Sequence, residues 1–261
     1  MDLNLENKVI IVTGGTQGIG EAISLGVASE KGIPVFIGRT ASYGEKLLAQ
    51  LKQKGMKGYF IQGDLDEPEV CESIVKETLE RFGKIDGLVN NAGKNDSVGL
   101  EKGSPLDFKK SINSNLNHYY NMAHFSLKAL KNSQGAIINI SSKTAVTGQG
   151  GTSGYAAAKG AQLALTREWA VELLKYKIRV NAVIPAEVST PQYTTWISGF
   201  ENSAEKLESI TQKIPLGMRM TLSEEIADSV LFLLSSRASH ITGQHIFVDG
   251  GYTHLDRAIN P

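Results

Sequence analysis

Short apolar runs recur along the chain, each followed by a stretch whose apolar residues fall at helical spacing. KVIIVT (Lys8–Thr13) shows no polar alternation, and Ile33–Ile37, GYFIQGDL (58–65), Leu88–Asn90, Ile137–Ile140, IRVNAVIP (178–185) and HIFVDGG (245–251) follow it as further strand-like runs. Such β-branched runs suit strands buried on both faces of a parallel sheet. Between them lie helical patterns over Glu21–Lys31, with Ala22, Ile23, Val27 and Ala28 on one face, then to about Lys54, over Glu69–Phe82, Asp107–Lys131, from near Gly154 through AQLALTREWAVELL, and over Ser223–Ser235. Alternating strand and helix throughout predicts an α/β protein with a doubly wound parallel sheet and helices on both faces. Two stretches depart from the simple pattern. The helix after Gly154 carries Leu163, Leu165, Trp169, Val171 and Leu174, more than one narrow stripe, which suits an oligomer contact. Residues 186–215 are polar, contain aromatics and have weak periodicity, the mark of a binding loop or substrate lid.

Composition narrows the classes. A chain of 261 residues with 41% hydrophobic content and no linker fits a single domain spanning 1–261. Lys and Arg number 27, as do Asp and Glu, and they are dispersed, so no footprint for nucleic acid or an anionic membrane emerges and a small molecule is the expected partner. The lone Cys71 excludes an internal disulfide and a cysteine-based metal cluster, and fits a reducing compartment. Its helical surroundings make packing its expected role. His118 and His245 stand without metal-ligand spacing, so surface or structural roles are expected and no metal site is. No basic leader with an apolar stretch opens the sequence, and nowhere do 18 apolar residues run together. A cytoplasmic enzyme is the simple expectation.

The candidate chemistry begins at GGTQGIG, between the first strand and the first helix. Gly14, Gly18 and Gly20 would let the backbone approach a pyrophosphate at a helix N-terminus, unless they form only a tight turn. About twenty residues on, where a carboxylate would meet the ribose 2′-hydroxyl of NAD, the chain has Arg39, which favours NADP over NAD through its 2′-phosphate. A solvated surface arginine is the alternative, and Gln17 supplies no second basic group. Asp64, ending the third strand, could accept from an adenine amino group or cap the next helix. Asn91, Ala92 and Gly93 could tie neighbouring strands or line a cofactor. Asn115 lies in a helical pattern that disfavours it, so its amide is expected in solvent, or bonded to backbone or a water. Tyr155 and Lys159, four apart, share a helix face. The ammonium is expected near the phenol, lowering a pKa ordinarily about 10 toward the range of a general base. Ser142, at the end of a strand, can meet the phenol across a substrate oxygen.

TGGTQGIG at 13–20, NNAG at 90–93, Asn115, Ser142 thirteen residues before Tyr155, YAAAK at 155–159 and VDGG at 248–251 occur in order. On these the chain resembles the short-chain dehydrogenase/reductase family over nearly its whole length. The resemblance implies a Rossmann-type sheet of seven strands, a nicotinamide cofactor, a homotetramer, and Asn115, Ser142, Tyr155 and Lys159 acting together, with Asn115 holding a water that passes the proton onward. It adds Gln17, Ile19, Leu65, Pro185, Val188 and Thr190 to the glycines, Arg39, Asp64, Asn91, Ala92, Gly93, Tyr155 and Lys159 as cofactor-binding positions. Within the family, NISSKTAVTGQGGTSGY, VIPAEVSTPQY and VDGGYTHLDRA resemble sugar dehydrogenases that oxidise L-fucose and related aldoses, which implies oxidation of an anomeric hydroxyl to a lactone. Where the family more usually has PG, this chain has PAE, which puts Glu187 beside the expected nicotinamide pocket. Lys94, Asn95, Lys143, Gln149, Glu187, Gln192 and Trp196 are expected to rim the substrate site with Ser142 and Tyr155, and they are largely polar. An NADPH-dependent reductase of 3-oxoacyl or other ketones is the enzyme alternative, and a dinucleotide-binding regulator the non-enzyme one. His254, Asp256 and Arg257 are candidates to reach a neighbouring subunit.

Overall fold

The computed structural model describes residues 2–255. In chain order the elements are β1 (Val9–Val12), α1 (Gly18–Ser29), β2 (Ile33–Gly38), α2 (Ala41–Gln53), β3 (Tyr59–Gln62), α3 (Pro68–Phe82), β4 (Gly87–Asn90), α4 (Pro105–Ile112), α5 (His118–Ser133), β5 (Ala136–Ile140), α6 (Ser153–Glu172), β6 (Arg179–Pro185), β7 (Val188–Ser189), α7 (Pro191–Ile197), α8 (Ser203–Thr211), β8 (Thr221–Leu222), α9 (Ser223–Leu234) and β9 (His245–Val248). Seven of the strands form one parallel sheet in the order β3-β2-β1-β4-β5-β6-β9, and β7 and β8 make a separate short pair.

The apolar runs explain the layering. Val9 to Val12 are all buried, their side chains alternating between two cores. Val9 and Ile11 join Ile74 and Val75 of α3, Tyr119 and Met122 of α5 and Trp169 of α6 on one face. Ile10 and Val12 join Ile23 and Val27 of α1 and Ile226 and Val230 of α9 on the other. Strand β1 pairs with β2 through Val9 and Ile33 and with β4 through Ile10 and Gly87. Chain direction across the sheet reverses there, and a crevice at the carboxyl ends of the strands is where such sheets take ligands.

Three boundaries differ from the sequence pattern for local reasons. Helix α1 begins at Gly18 rather than near Glu21, because Gln17 is the last extended residue. The pattern over 107–131 is two helices. Ser104 caps α4, accepting from the Asp107 N–H at 3.1 Å, and a π turn over Asn113–Asn117 joins α4 to α5. Such wide turns are uncommon inside helices and concentrate at functional sites. The stretch 186–215 holds β7, α7 and α8, with Thr190 Oγ1 accepting from the Tyr193 N–H to cap α7.

Arg179 at the start of β6 donates to the carbonyls of Leu233, Leu234 and Ser235 at 2.6, 3.2 and 3.1 Å. One guanidinium thus satisfies the end of α9, where the helix dipole favours a cation. Cys71 is buried with its Sγ directed at the Leu65 carbonyl, and burial pushes its thiol up to about 11. Among the described residues no helix is long and apolar enough to cross a membrane, and no group of three or more His, Cys, Asp or Glu side chains is placed to hold a metal ion. Asp256 and Arg257 lie outside the described residues. The ring of His254 packs edge-on against Phe247 at 4.2 Å.

Candidate active site

The crevice is walled by the segments that leave β1, β4, β5 and β6 at their carboxyl ends. Gly14 adopts φ +60°, a conformation costly for other residues, and a Cβ there would press on Ala92 Cα at 3.0 Å. A Cβ on Gly20 would run into the Gly14 carbonyl, so the turn closes only with glycine. Behind it, Asn91 Nδ2 donates to the carbonyls of Thr13 and Gly14 at 2.9 and 3.2 Å, while Thr13 Oγ1 accepts from the N–H groups of Asn91 and Ala92. Asn91 therefore ties β4 to the glycine turn. Gln17 precedes α1 without a side-chain bond to it, and no side chain caps the first turn. Glycines and uncapped N–H groups at a helix N-terminus fit an anionic pyrophosphate.

The other positions expected to contact cofactor lie on several elements. Thr190 faces the glycine turn, its side chain 3.2 Å from where a Cβ on Gly18 would sit. Pro185 ends β6, Val188 is buried, and Ile19 is partly buried against the α1–α9 core. Arg39 is exposed at the end of β2, and its carbonyl accepts from Gln62 at 3.0 Å. Asp64 is exposed and accepts from the Asp66 N–H at 3.3 Å in a local turn. It does not cap α3, whose N-cap is Glu67. Leu65 places its side chain in the core, so only its backbone is available to a ligand.

Ser142, Tyr155 and Lys159 converge where β5 ends. Ser142 is buried, its Oγ accepting from the Thr144 N–H at 3.2 Å, and it shares a hydrogen bond with the Tyr155 phenol. Lys159 is buried beneath the Tyr155 ring, its Nζ 5.4 Å from the ring centroid. It donates to the Ile140 carbonyl at 2.8 Å, to Gln162 Oε1 at 3.2 Å and to the Tyr119 hydroxyl at 3.3 Å. The expectation that the ammonium lowers the phenol's pKa is not met in this geometry. Burial pushes Tyr155 up to about 12, against the pull of its Ser142 bond, and Asp96 adds to the rise. Burial also brings Lys159 down to about 7. The reason is direction: the ammonium turns toward a main-chain carbonyl, so desolvation dominates both groups.

Asn115 sits buried in the π turn, donating from Nδ2 to the Ser111 carbonyl at 3.0 Å and accepting at Oδ1 from the Lys94 N–H at 2.7 Å. Its own carbonyl accepts from Gln162 Nε2 at 2.7 Å. Of the expectations for its amide, backbone bonding is the one observed. A Cβ on Gly93 would lie 3.0 Å from Asn115 Oδ1 and 3.6 Å from Lys159 Nζ, so the small residue lets all three groups meet. His118, buried beside Tyr119, bonds the Ser114 carbonyl and is pushed down to about 4 by burial, in keeping with a structural role.

Of the substrate-rim candidates, two are joined. Lys143, directly after Ser142, forms an ion pair with Glu187, and both side chains are largely buried. Lys143 Nζ also stands 4.2 Å over the Tyr252 ring. Tyr193 bonds to Glu187, and burial with that carboxylate nearby raises its pKa. Lys94 reaches Asn115 through its backbone, while Asn95 Oδ1 accepts from the Ser97 N–H at 3.2 Å. Gln149 and Gln192 are exposed. Trp196, 48% exposed, packs on its own segment, edge-on to Tyr193 at 5.2 Å and Phe200 at 5.0 Å. Sequence reasoning did not single out Tyr119, Gln162, Tyr193 or Tyr252. Only Gln162, a polar residue one turn after Lys159 on the same helix, left a readable signal.

A doubly wound seven-stranded sheet with its switch-point crevice and a Ser–Tyr–Lys cluster at its rim defines a Rossmann-type oxidoreductase using a nicotinamide cofactor. The chain belongs to the short-chain dehydrogenase/reductase family: within it, the model of the family described as enoyl-(acyl carrier protein) reductase matches residues 14–253. A 3-oxoacyl-[acyl-carrier-protein] reductase of Thermotoga maritima is 35% identical, covering 95% of this chain and 99% of that protein. An L-fucose dehydrogenase of Mus musculus is 34% identical, covering 94% of this chain and 88% of its own. The crystal structure of the Cj0485 dehydrogenase superposes with a TM-score of 0.95 at 48% identity, covering all of both chains.

Proposed function

We propose that this oxidoreductase oxidises an L-fucose-like aldose in its ring form, converting the anomeric hydroxyl to a lactone carbonyl with transfer of a hydride to NAD(P). The observation that carries this reading is the Lys143–Glu187 ion pair, largely buried beside Ser142 and joined by Tyr193. Charges taken out of water need dense hydrogen bonding, and a site so built favours ligands rich in hydroxyl groups over an acyl chain. Likeness to the mouse L-fucose dehydrogenase supports it. The second reading, reduction of a 3-oxoacyl ester with NADPH, is supported by likeness to the Thermotoga 3-oxoacyl reductase. NADP is the favoured partner of the exposed Arg39, whose fork matches a 2′-phosphate.

In the proposed reaction Ser142 and Tyr155 hold the substrate hydroxyl, and Tyr155 takes its proton. A bound nicotinamide supplies the acceptor for the hydrogen that leaves the neighbouring carbon with its electron pair. Lys159 lends positive charge from below the phenol ring and, when cofactor is present, binds its ribose. With its pKa pushed up to about 12 by burial, the phenol must lose its own proton before it can take the sugar's, so oxidation is expected to gain with rising pH, whereas ketone reduction uses the protonated phenol directly as its acid. We further propose one domain over 1–261, a lid over 186–215, a cytoplasmic setting, and a homotetramer formed in part through Val171 and Leu174, which are 70% and 57% exposed.

The test is reduced-nicotinamide absorbance with NADP⁺ and NAD⁺ crossed against L-fucose, D-arabinose and D-glucose, and with NADPH against a 3-oxoacyl ester. Turnover of an aldose is expected. Inert sugars with consumption of NADPH on the ester would replace the sugar reading by the reductase one.

A further inference from the structure

Gln162 is wholly buried on α6, three residues beyond Lys159. Its Nε2 donates to the Asn115 carbonyl at 2.7 Å, and its Oε1 accepts from Lys159 Nζ at 3.2 Å. The amide's orientation is dictated by its partners, since a carbonyl only accepts and an ammonium only donates. It also bonds to the Tyr119 hydroxyl. Its own carbonyl accepts from Thr166 Oγ1, which in turn accepts from Asn139 of β5, so its turn of helix is pinned to the sheet.

We propose that Gln162 is a positioning residue for the reaction, spanning from the π turn at Asn115 to Lys159 and fixing where the ammonium stands beneath Tyr155. The inference rests on the roles of Tyr155 and Lys159 given above. The Gln162 amide occupies one acceptor direction of the Asn115 carbonyl. A carboxamide keeps its protons at neutral pH, so this span orients and does not relay. The titratable groups facing Lys159 are Tyr155 on its own helix and Tyr119 and His118 on α5, none of them a carboxylate, while β5 offers only the Ile140 carbonyl. Neutral oxygens hold the cation, and Gln162 is the one among them that reaches the π turn.

The experiment is a pH titration of full-length protein labelled with ¹³C at lysine Cε, the Lys159 signal being assigned by its loss in Lys159→Met. Gln162→Glu is expected to move the Lys159 midpoint up by about one pH unit or more, as an opposite charge beside it favours the cation. Gln162→Leu removes an acceptor and is expected to move it down. In parallel, kcat for L-fucose with NADP⁺, or for a 3-oxoacyl ester with NADPH if the sugar is inert, is expected to fall about 10- to 100-fold in Gln162→Leu with KM little changed, the scale of a 1 Å misplacement. A midpoint unmoved in variants with wild-type circular dichroism overturns the proposal, as does an unchanged kcat in both. Should Gln162→Leu fail to fold, the near-isosteric Gln162→Glu decides alone. The titration needs no substrate, so it separates failure of this inference from failure of the sugar reading.

Discussion

At the scale of single residues the site is governed by desolvation. Tyr155 and Lys159 are displaced in opposite directions by the same cause, the phenol up to about 12 and the amine down to about 7. Tyr155→Phe is expected to lower turnover by about 10²- to 10⁴-fold, the usual contribution of a positioned acid or base. Steady-state rates at saturating cofactor check this, and retained activity would reassign the proton. Lys159 also ties stability to pH. Its folded pKa of about 7 lies below the ordinary lysine value of 10.5, so between those values the unfolded chain binds the extra proton and stability rises with pH. Below pH 7 both states hold the proton and the full burial penalty remains. Lys159→Met lacks this dependence, so urea denaturation of cofactor-free protein should show its stability relative to wild type to be greatest at pH 6 and shrinking by pH 9.

Between elements, the ion pair of Lys143 and Glu187 links the turn after β5 to the segment that enters the lid. Removing either partner alone, as Lys143→Met or Glu187→Leu, strands a buried charge and is expected to destabilise by about 3–5 kcal/mol. The double variant should recover most of that loss in chemical denaturation while still losing activity on sugars. The strands and the Tyr–Lys helix were legible in the sequence because buried parallel strands leave continuous apolar runs and because residues four apart must share a helix face. The π turn was not, since one extra residue scarcely disturbs the apolar period across 107–131. Helices α7 and α8 hid for another reason: only Ile197 among their residues is fully buried, leaving little amphipathic signal. At the site itself, Lys159 was placed correctly on its helix, yet its partners were out of reach of any local pattern. The Ile140 carbonyl is backbone, and Tyr119 lies 40 residues away in sequence.

For the whole molecule, the parallel sheet sets where the crevice lies, and exposed apolar residues bear on assembly. Val171 and Leu174, at the end of α6 and just beyond it, expose surface that a monomer would leave wet. Val171→Lys combined with Leu174→Lys is expected to lower the association state in sedimentation analysis while leaving circular dichroism unchanged. A wild-type protein that sediments as a monomer would remove the tetramer from the proposal. The sheet order also has a history written into it. Strand β1 sits beside β4 through Ile10 and Gly87, a partner that comes 77 residues later in the chain. At a synthesis rate of about 5–20 residues per second, the nascent chain carries one unpaired edge of its most apolar strand for roughly 4–15 s. During birth, the seam beside the glycine turn is thus an open, adhesive edge.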